Sequence, residues 1–322
     1  MTNNTHVDET TILQTTTQFK KILVATDFSP CSNGALEYAL AIARVSGASL
    51  QLMHVIGSVE GDAWSPLRYI PETHATGETP DTLVQEFLDK EMNRVDTTGL
   101  TTDTVRLHGN PARMLVRYAV DEGMDLIVLG TFGRSGLQRM VIGSTALKVI
   151  QNAPCSVIAV NADWIASKGD LKNFKIDRIL VPVDLSDFSR GLIRAAGDLA
   201  EAYSADVDVI HVVESLPYLN ALAGIMTAGD LVPTLSKRAA TDIREIWNEY
   251  GTDSITPKMV VKEGHSAGSV VDYARETDAD MIVISPHGRS GASRFLLGST
   301  TERVVRTAHN PVLVYRQIKR DG

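Results

Sequence analysis

The 322-residue chain is poor in cysteine: it has only Cys31 and Cys155, which lie far apart and outside any Cys-x-x-Cys pair. This excludes a disulfide framework and a cysteine zinc site, and it favours a reducing compartment. The chain also lacks a run of about 18 apolar residues, which argues against a membrane span. Its N-terminal sequence does not have the basic start and apolar core of a secretory signal. We therefore expect a cytoplasmic protein.

Positive charge is also scarce, because 31 lysines and arginines stand against 39 aspartates and glutamates and leave a net charge of −8. A nucleic-acid-binding surface normally carries a basic stripe, so this balance argues against a nucleic-acid partner. Aromatic residues make up only 6%, while the 43% hydrophobic and 22% charged residues are typical of a soluble globular protein. The length suits two domains of ordinary size.

One glycine-rich stretch occurs twice. Residues 130–145 are GTFGRSGLQRMVIGST, and residues 285–300, which lie 155 positions later, are SPHGRSGASRFLLGST. Each copy follows a short apolar run that predicts a buried parallel strand, and each precedes a segment that predicts a helix. The unpaired N–H groups and the dipole at a helix N-terminus favour an anion. Each copy is therefore a candidate phosphate site.

A purely structural role for these stretches stays open on spacing alone. Ser144 could simply be the N-cap of the helix that follows the first copy. In the second copy, Ser299 with Glu302 matches a capping box. In the ligand-binding interpretation, Gly130 and Gly133 are the informative residues. A glycine can take a positive φ, and it lets a ligand approach the backbone closely.

The spacing Gly130-x2-Gly133-x9-Gly143-Ser144 resembles the ATP-binding signature of the universal stress protein family. The second copy keeps this spacing but has Ser285 at the position of the first glycine. If that glycine needs a positive φ, a side chain there is unfavourable, and we expect domain 1 to bind nucleotide more tightly than domain 2. The resemblance covers nearly the whole chain as two tandem copies.

The fold class is predicted to be α/β, because short strands alternate with helices in both halves. The resemblance implies two tandem Rossmann-like domains of the adenine nucleotide alpha hydrolase type, each a five-stranded parallel sheet of order 3-2-1-4-5 flanked by helices. We assign residues 1–18 to a disordered tail, 19–161 to domain 1, 162–174 to a polar linker and 175–318 to domain 2.

The last strand of each domain, residues 156–160 and 312–315, is predicted to lie at the edge of its sheet with unpaired backbone groups. Single-domain members of the family it resembles pair through this strand as dimers. We therefore predict that the two strands pair antiparallel within one chain and make an internal pseudo-twofold dimer. The sequence leaves a homodimer through other surfaces open.

Two aspartates, Asp27 and Asp184, stand just beyond the first strand of each half. In an order of 3-2-1-4-5, strands 1 and 4 are neighbours, so each aspartate should face its glycine-rich loop. A carboxylate there can accept hydrogen bonds from ribose hydroxyls or an adenine amino group. The alternative is an acid that stabilises the adjacent helix N-terminus. The resemblance favours the ligand role, and it implies that Val55 and Val212 contact adenine through their backbone.

The candidate nucleotide-binding residues lie at strand ends and in the loops. In the first half they are Ala25, Thr26, Asp27, Val55, Leu129, Gly130, Gly133, Arg134, Gly143, Ser144 and Thr145. In the second half they are Pro182, Asp184, Val212, Ser285, Gly288, Arg289, Gly298, Ser299 and Thr300. The repeated arginines Arg134 and Arg289 could bind phosphate or stay solvated. No catalytic or metal-binding residue is assigned, and His54 and His211 are expected to be structural because no nucleophile accompanies them.

The expected function is binding of ATP or another adenine nucleotide, with or without Mg²⁺, by a regulator of the stress response that turns nucleotide over slowly or not at all. The chain lacks GxxxxGK[ST], so it is not a P-loop NTPase. Two alternatives stay open. One is an ATPase or autophosphorylating enzyme of the same fold, and the other is a nucleotide-free dimerisation protein.

Overall fold

The computed structural model describes residues 19–57, 79–131, 142–169, 171, 174–214, 228–288 and 297–317. The predicted tail, residues 1–18, lies outside this part of the chain, as do Gly133, Arg134 and Arg289. None of the helices in the described ranges combines the length and the apolar character that a membrane span requires.

The first half alternates strands with helices as predicted. Its elements are β1 (Lys21–Ala25), α1 (Pro30–Ser46), β2 (Ser49–Ile56), α2 (Pro80–Arg94), β3 (Thr102–His108), α3 (Pro111–Asp121), β4 (Leu126–Gly130), α4 (Ser144–Asn152) and β5 (Ser156–Val160). Helices α1, α2 and α3 each have proline in the first turn, where its missing N–H costs no hydrogen bond.

The second half repeats this alternation after one additional helix. Its elements are α5 (Ala162–Lys168), β6 (Arg178–Pro182), α6 (Asp187–Tyr203), β7 (Asp206–Val213), α7 (Ala228–Tyr250), β8 (Lys258–Glu263), α8 (Ser266–Glu276), β9 (Met281–Ile284), α9 (Ser299–Thr307) and β10 (Val312–Val314).

The ten strands in the described part of the chain form one sheet of order β3-β2-β1-β4-β5-β10-β9-β6-β7-β8. Each half therefore has the strand order 3-2-1-4-5 and is parallel throughout. The halves meet where β5 pairs antiparallel with β10, with Val312 opposite Ala159 and Val314 opposite Val157. This is the pairing that the sequence analysis predicts for the two edge strands, and it covers one edge of each half-sheet.

In each half, an aspartate just before the fourth strand binds the backbone at the start of the first strand. Asp125 Oδ2 accepts the backbone N–H groups of residues 20–21 at 2.8 and 2.9 Å. Asp280 Oδ2 accepts those of residues 177–178 at 2.9 and 3.0 Å. These bonds align the fourth strand with the first in each half, so the loops beyond their carboxyl ends lie side by side.

The polar linker contains helix α5, which packs against both halves. Trp164 is buried and lies 5.4 Å from the Tyr38 ring and 5.2 Å from the Phe174 ring. Tyr38 Oη donates to the backbone oxygen of Asp280 at 3.0 Å, and Lys168 Nζ pairs with the Asp280 carboxylate at 3.2 Å. The connection between the halves is therefore anchored by apolar and ionic contacts, in addition to the strand junction.

The strand junction can be tested with Val314→Pro. Tyr315 N donates to Ile284 O in β9 at 2.9 Å, so by alternation the N–H of Val314 faces β5. Proline at position 314 removes this donor, at an expected cost of about 0.5–1.5 kcal/mol for the lost bond alone. We expect faster amide hydrogen exchange at Val157, the residue opposite in β5.

The matched control is Tyr315→Pro, which removes the donor to β9 inside the second half and leaves the junction donor in place. It should lower stability without selectively exposing Val157. Equal protection of Val157 in Val314→Pro and the parent chain would show that β5 does not depend on β10.

Candidate functional site

A cavity of about 720 Å³ opens in the second half at the carboxyl ends of β6, β7 and β9. This is where ligands bind in open parallel sheets, because the strand connections diverge to opposite faces there. The structure brings around it every described residue that the sequence analysis assigns to this half: Pro182, Asp184, Val212, Ser285, Gly288, Gly298, Ser299 and Thr300.

The aspartate after the first strand is fixed by its own turn. Asp184 Oδ1 accepts from Ser186 N at 3.0 Å, Ser186 Oγ at 2.6 Å and Ser189 Oγ at 3.1 Å. The other carboxylate oxygen, Oδ2, lies so close to Gly288 that a Cβ there would be 2.8 Å from it. The carboxylate is thus held against the glycine-rich loop, as predicted from the strand order.

The first half repeats this turn. Asp27 Oδ1 accepts Ser29 N at 3.1 Å, and Ser29 in turn caps α1 by accepting Ser32 N. Asp27 is therefore not the N-cap of α1 but closes the turn that precedes the cap.

The residue after each aspartate has a left-handed backbone, which the sequence analysis missed. Phe28 has φ 62° and Leu185 has φ 61°. A positive φ is uncommon for residues other than glycine and costs on the order of 1–3 kcal/mol, and such residues cluster at functional sites. The only sequence signal was the repeated pattern of aspartate, apolar residue and serine. The same backbone shape therefore follows the first strand in both halves, next to each aspartate.

Both strand histidines bind a backbone carbonyl through Nδ1. His54 Nδ1 lies 2.8 Å from Thr26 O, and His211 Nδ1 lies 2.8 Å from Val183 O. A carbonyl can only accept, so Nδ1 carries the proton in both rings. Each histidine ties the second strand to the residue just before the aspartate.

The phosphate-candidate helices α4 and α9 both begin after a glycine. Gly143 and Gly298 are the N-caps, with φ −60° and −62°, and neither helix has a side-chain cap. The backbone N–H of Gly143 donates to Thr131 O, and that of Gly298 donates to Pro286 O, both at 2.8 Å. The prediction that Ser144 could be the N-cap is therefore wrong, since Ser144 is the first helical residue. A first turn without a side-chain cap presents backbone N–H groups that suit an anion.

The capping box considered for the second copy is also wrong. Glu302 does not turn back to the N-terminus, because its Oε1 pairs with Arg306 Nη2 at 2.8 Å one turn further along α9. Thr301 Oγ1 donates to Ser285 O at 2.7 Å and ties α9 to the end of β9. The ion pair with Arg306 offsets the negative charge of Glu302, so Glu302 argues less strongly against an anion at this helix.

The expectation that domain 1 binds nucleotide more tightly than domain 2 is based on a positive φ at Gly130. In the structure Gly130 has no positive φ. Instead, a Cβ at this position would lie 2.7 Å from Cys31 Sγ and 3.2 Å from the Cys31 carbonyl carbon. Gly130 is therefore required by the close approach of α1, and the argument that ranked domain 1 above domain 2 does not hold.

The remaining residues assigned in the first half are Ala25, Thr26, Val55, Leu129 and Thr145. Thr26, Val55 and Leu129 are buried, whereas Ala25 and Thr145 are half-buried. The Thr26 hydroxyl is engaged within the protein, 3.1 Å from Ser32 Oγ and 3.0 Å from Phe28 N. Thr26 therefore shapes the turn through its side chain.

Charged residues of the second-half cavity were not anticipated. Arg238 and Asp242 from α7 line it, with 3.9 Å between Arg238 Nε and Asp242 Oδ2. Glu214, just beyond β7, also lines it and accepts Ser266 Oγ at 2.6 Å. None of these residues belongs to the repeated motif, so only the packing of α7 and α8 over the sheet could reveal them.

The model of the universal stress protein family matches this chain twice, over residues 18–161 and 175–316. A universal stress protein of Mycolicibacterium smegmatis is 26% identical over 316 residues, which is 95% of this chain and 99% of that protein. One from Mycobacterium bovis is 25% identical over 305 residues, covering 92% and 97% of the two chains. Both relatives match over nearly their full lengths.

Shorter relatives match one half only. A universal stress protein of Methanocaldococcus jannaschii is 32% identical over 146 residues, which is 45% of this chain and 84% of that protein. Among solved structures, a universal stress protein from Archaeoglobus fulgidus superposes with a TM-score of 0.66 at 20% identity and covers 93% of this chain and 99% of its own. That likeness supports the fold.

The role of Gly130 can be tested by a double-mutant cycle with Cys31. Gly130→Ala should cost about 1–3 kcal/mol of unfolding free energy, because its Cβ overlaps Cys31 Sγ. Cys31→Ala removes that sulfur, so the two costs should be non-additive by about 0.5 kcal/mol or more in denaturant unfolding.

Gly191→Ala is the control, since the one atom near its Cβ is Gln317 Oε1 at 3.9 Å and it lies in a helix. It should be neutral or slightly stabilising. Strictly additive costs for Gly130→Ala and Cys31→Ala would contradict the steric explanation.

Proposed function

The chain belongs to the universal stress protein family, and we propose that it binds ATP or another adenine nucleotide in each half and acts as a regulator of the stress response. The observation that carries the proposal is the second-half cavity. Its volume of about 720 Å³ lies within the range of roughly 300–1,000 Å³ that is usual for small-molecule sites. It also combines an apolar strand edge, a fixed carboxylate and an uncapped helix N-terminus.

Each of these parts suits one part of the nucleotide. The first turn of α9 would bind the phosphates through the backbone N–H groups and hydroxyls of Ser299 and Thr300, because the N–H of Gly298 already donates to Pro286 O. Asp184 would accept from the ribose hydroxyls or the adenine amino group. The backbone at Val212 would meet the adenine edge.

The phosphates are assigned to α9 because its first turn has no side-chain cap and lines the cavity. Glu214 and Asp242, which also line the cavity, carry carboxylates that would repel phosphate. Arg238 lies beside Asp242. These groups favour placing the phosphates at the helix N-terminus.

The first half supplies the corresponding groups at Asp27, Val55 and residues 143–145, so we propose an equivalent site there. The roles of Gly133, Arg134 and Arg289 stay predictions, because these residues lie outside the described part of the chain.

Slow or absent turnover is part of the proposal. Among the described residues there is no group of three or more histidines, cysteines, aspartates or glutamates that could hold a metal. In the proposed complex, Mg²⁺ enters bound to the phosphates. We place the protein in the cytoplasm, and the buried thiols of Cys31 and Cys155 are compatible with a reducing compartment.

Equilibrium dialysis and thermal unfolding of the full chain with Mg-ATP test the proposal. A ligand at about 100 times its Kd adds roughly 2.7 kcal/mol to the unfolding free energy, so ATP should raise the Tm. Gly143→Val and Gly298→Val place side chains at the two helix N-termini, and each should remove one bound nucleotide. The double variant should lose both the binding and the rise in Tm.

Gly191→Val, on α6 and outside the cavity lining, is the matched control and should retain both bound nucleotides. An undiminished rise in Tm in the double variant would place the nucleotide elsewhere. If the parent chain neither binds ATP nor shows the rise, the nucleotide-free alternative is favoured. Steady release of phosphate from Mg-ATP, lost in the same variants, would favour the ATPase alternative.

A further inference from the structure

Helix α4 is capped at its C-terminus by a side chain from the other half. Arg316 follows β10, and its Nη2 donates to Ile150 O at 3.0 Å and to Gln151 O at 3.2 Å, both in the last turn of α4. Helix α4 has no basic residue of its own in that turn. A cation there satisfies carbonyls that lack helical partners and interacts favourably with the helix dipole. The second half thus supplies what α4 lacks.

Helix α9 is held in the reciprocal way by the first half. Asn161 follows β5, is buried, and donates from Nδ2 to Ala308 O at 3.1 Å. Ala308 is the C-cap of α9. Asn161 and Arg316 lie 155 positions apart, the same offset that separates the two glycine-rich loops. Equivalent positions of the two repeats therefore each contact a helix of the other half.

The backbone that carries Arg316 is fixed to the first half. Arg316 N donates to Ser156 Oγ at 3.0 Å, and Ser156 Oγ lies 3.3 Å from Arg316 O. On the other side, Asn161 Oδ1 accepts Asp163 N at 2.8 Å, which holds the side chain while its amide reaches Ala308. Arg316 is thus oriented by the β5–β10 junction and Asn161 by the first turn of α5, and neither is oriented by the helix that it contacts.

We propose that Arg316 and Asn161 are positioning residues, each of which supports the nucleotide site of the opposite half through the helix that begins there. The proposal rests on the proposed nucleotide function. Helix α4 has nine residues and begins at the N-terminus proposed to bind phosphate, so fixing its last carbonyls also fixes the direction of its first N–H groups. A positive charge at its C-terminal end stabilises the same helix.

The two helices should not depend equally on this support. Helix α9 has its own Arg306 in the last turn, whereas α4 depends on Arg316 for a cation. Site 1, at the N-terminus of α4, should therefore respond to charge at position 316. Site 2, at the N-terminus of α9, should respond to the donor at position 161.

The test uses full-length chains with one site left. With Gly298→Val blocking site 2, Arg316→Gln should weaken ATP binding at site 1 about two- to fivefold, and Arg316→Lys should restore most of it. With Gly143→Val blocking site 1, Arg316→Gln should leave the affinity of site 2 unchanged. Failure of lysine to restore binding, or equal loss at both sites, would overturn the role of Arg316.

Asn161→Asp is the reciprocal variant. It keeps an oxygen that can cap α5 but replaces the amide donor to Ala308 with a negative charge at the C-terminus of α9. It should weaken site 2 and spare site 1. The opposite pattern, or no change at either site, would contradict the proposal.

Hydrogen exchange without nucleotide separates this proposal from the proposed function. Arg316→Gln should speed amide exchange in α4 relative to α9, and Asn161→Asp should do the reverse. If the parent chain binds no ATP, the nucleotide function fails, while this crossed pattern still shows that each half supports the opposite helix. Unchanged exchange in both helices would refute the cross-half support itself.

Discussion

The antiparallel pairing of β5 with β10 is the constraint on which the rest of the molecule depends. Two parallel half-sheets, each with an edge strand, become one ten-stranded sheet through three residue pairs, of which Val314 with Val157 is one. The strands run in one direction within each half, and this direction reverses at the junction. The carboxyl ends of the strands therefore point in opposite directions in the two halves. The same junction carries Asn161 and Arg316 across to the opposite half.

Each carboxyl edge is shaped by backbone features before any ligand is considered. The Asp184 turn, the left-handed Leu185 and the His211 bond to Val183 O fix the path of the chain after β6. Gly288 lies close to both the Asp184 carboxylate and the N-terminus of α9, because a Cβ on Gly288 would be 2.8 Å from Asp184 Oδ2 and a Cβ on Gly298 would be 3.8 Å from Gly288 N. A fixed carboxylate and an uncapped helix N-terminus therefore both border the cavity.

Much of this could be predicted from the sequence, because short apolar runs and repeated glycines are local signals. The strand alternation, the edge pairing and the motif residues around the second-half cavity follow from them and from the family resemblance. Other features depend on contacts between distant residues. Gly130 is needed because Cys31 from α1 packs against it. Glu302 is a local exception, because it pairs with Arg306 four residues further along the same helix instead of forming a capping box. The contact of Arg316 with α4 likewise joins residues that no local pattern connects.

The most direct test of the central claim is a crystal structure of the full chain with a non-hydrolysable ATP analogue. We predict phosphate density at residues 298–300, where the first N–H groups of α9 point, and ribose or adenine polar atoms within hydrogen-bond distance of the Asp184 carboxylate. The equivalent groups of the first half, Asp27 and residues 143–145, should be occupied in the same way. Analogue bound away from both helix N-termini, or no analogue bound at either helix N-terminus at saturating concentration, would contradict the account.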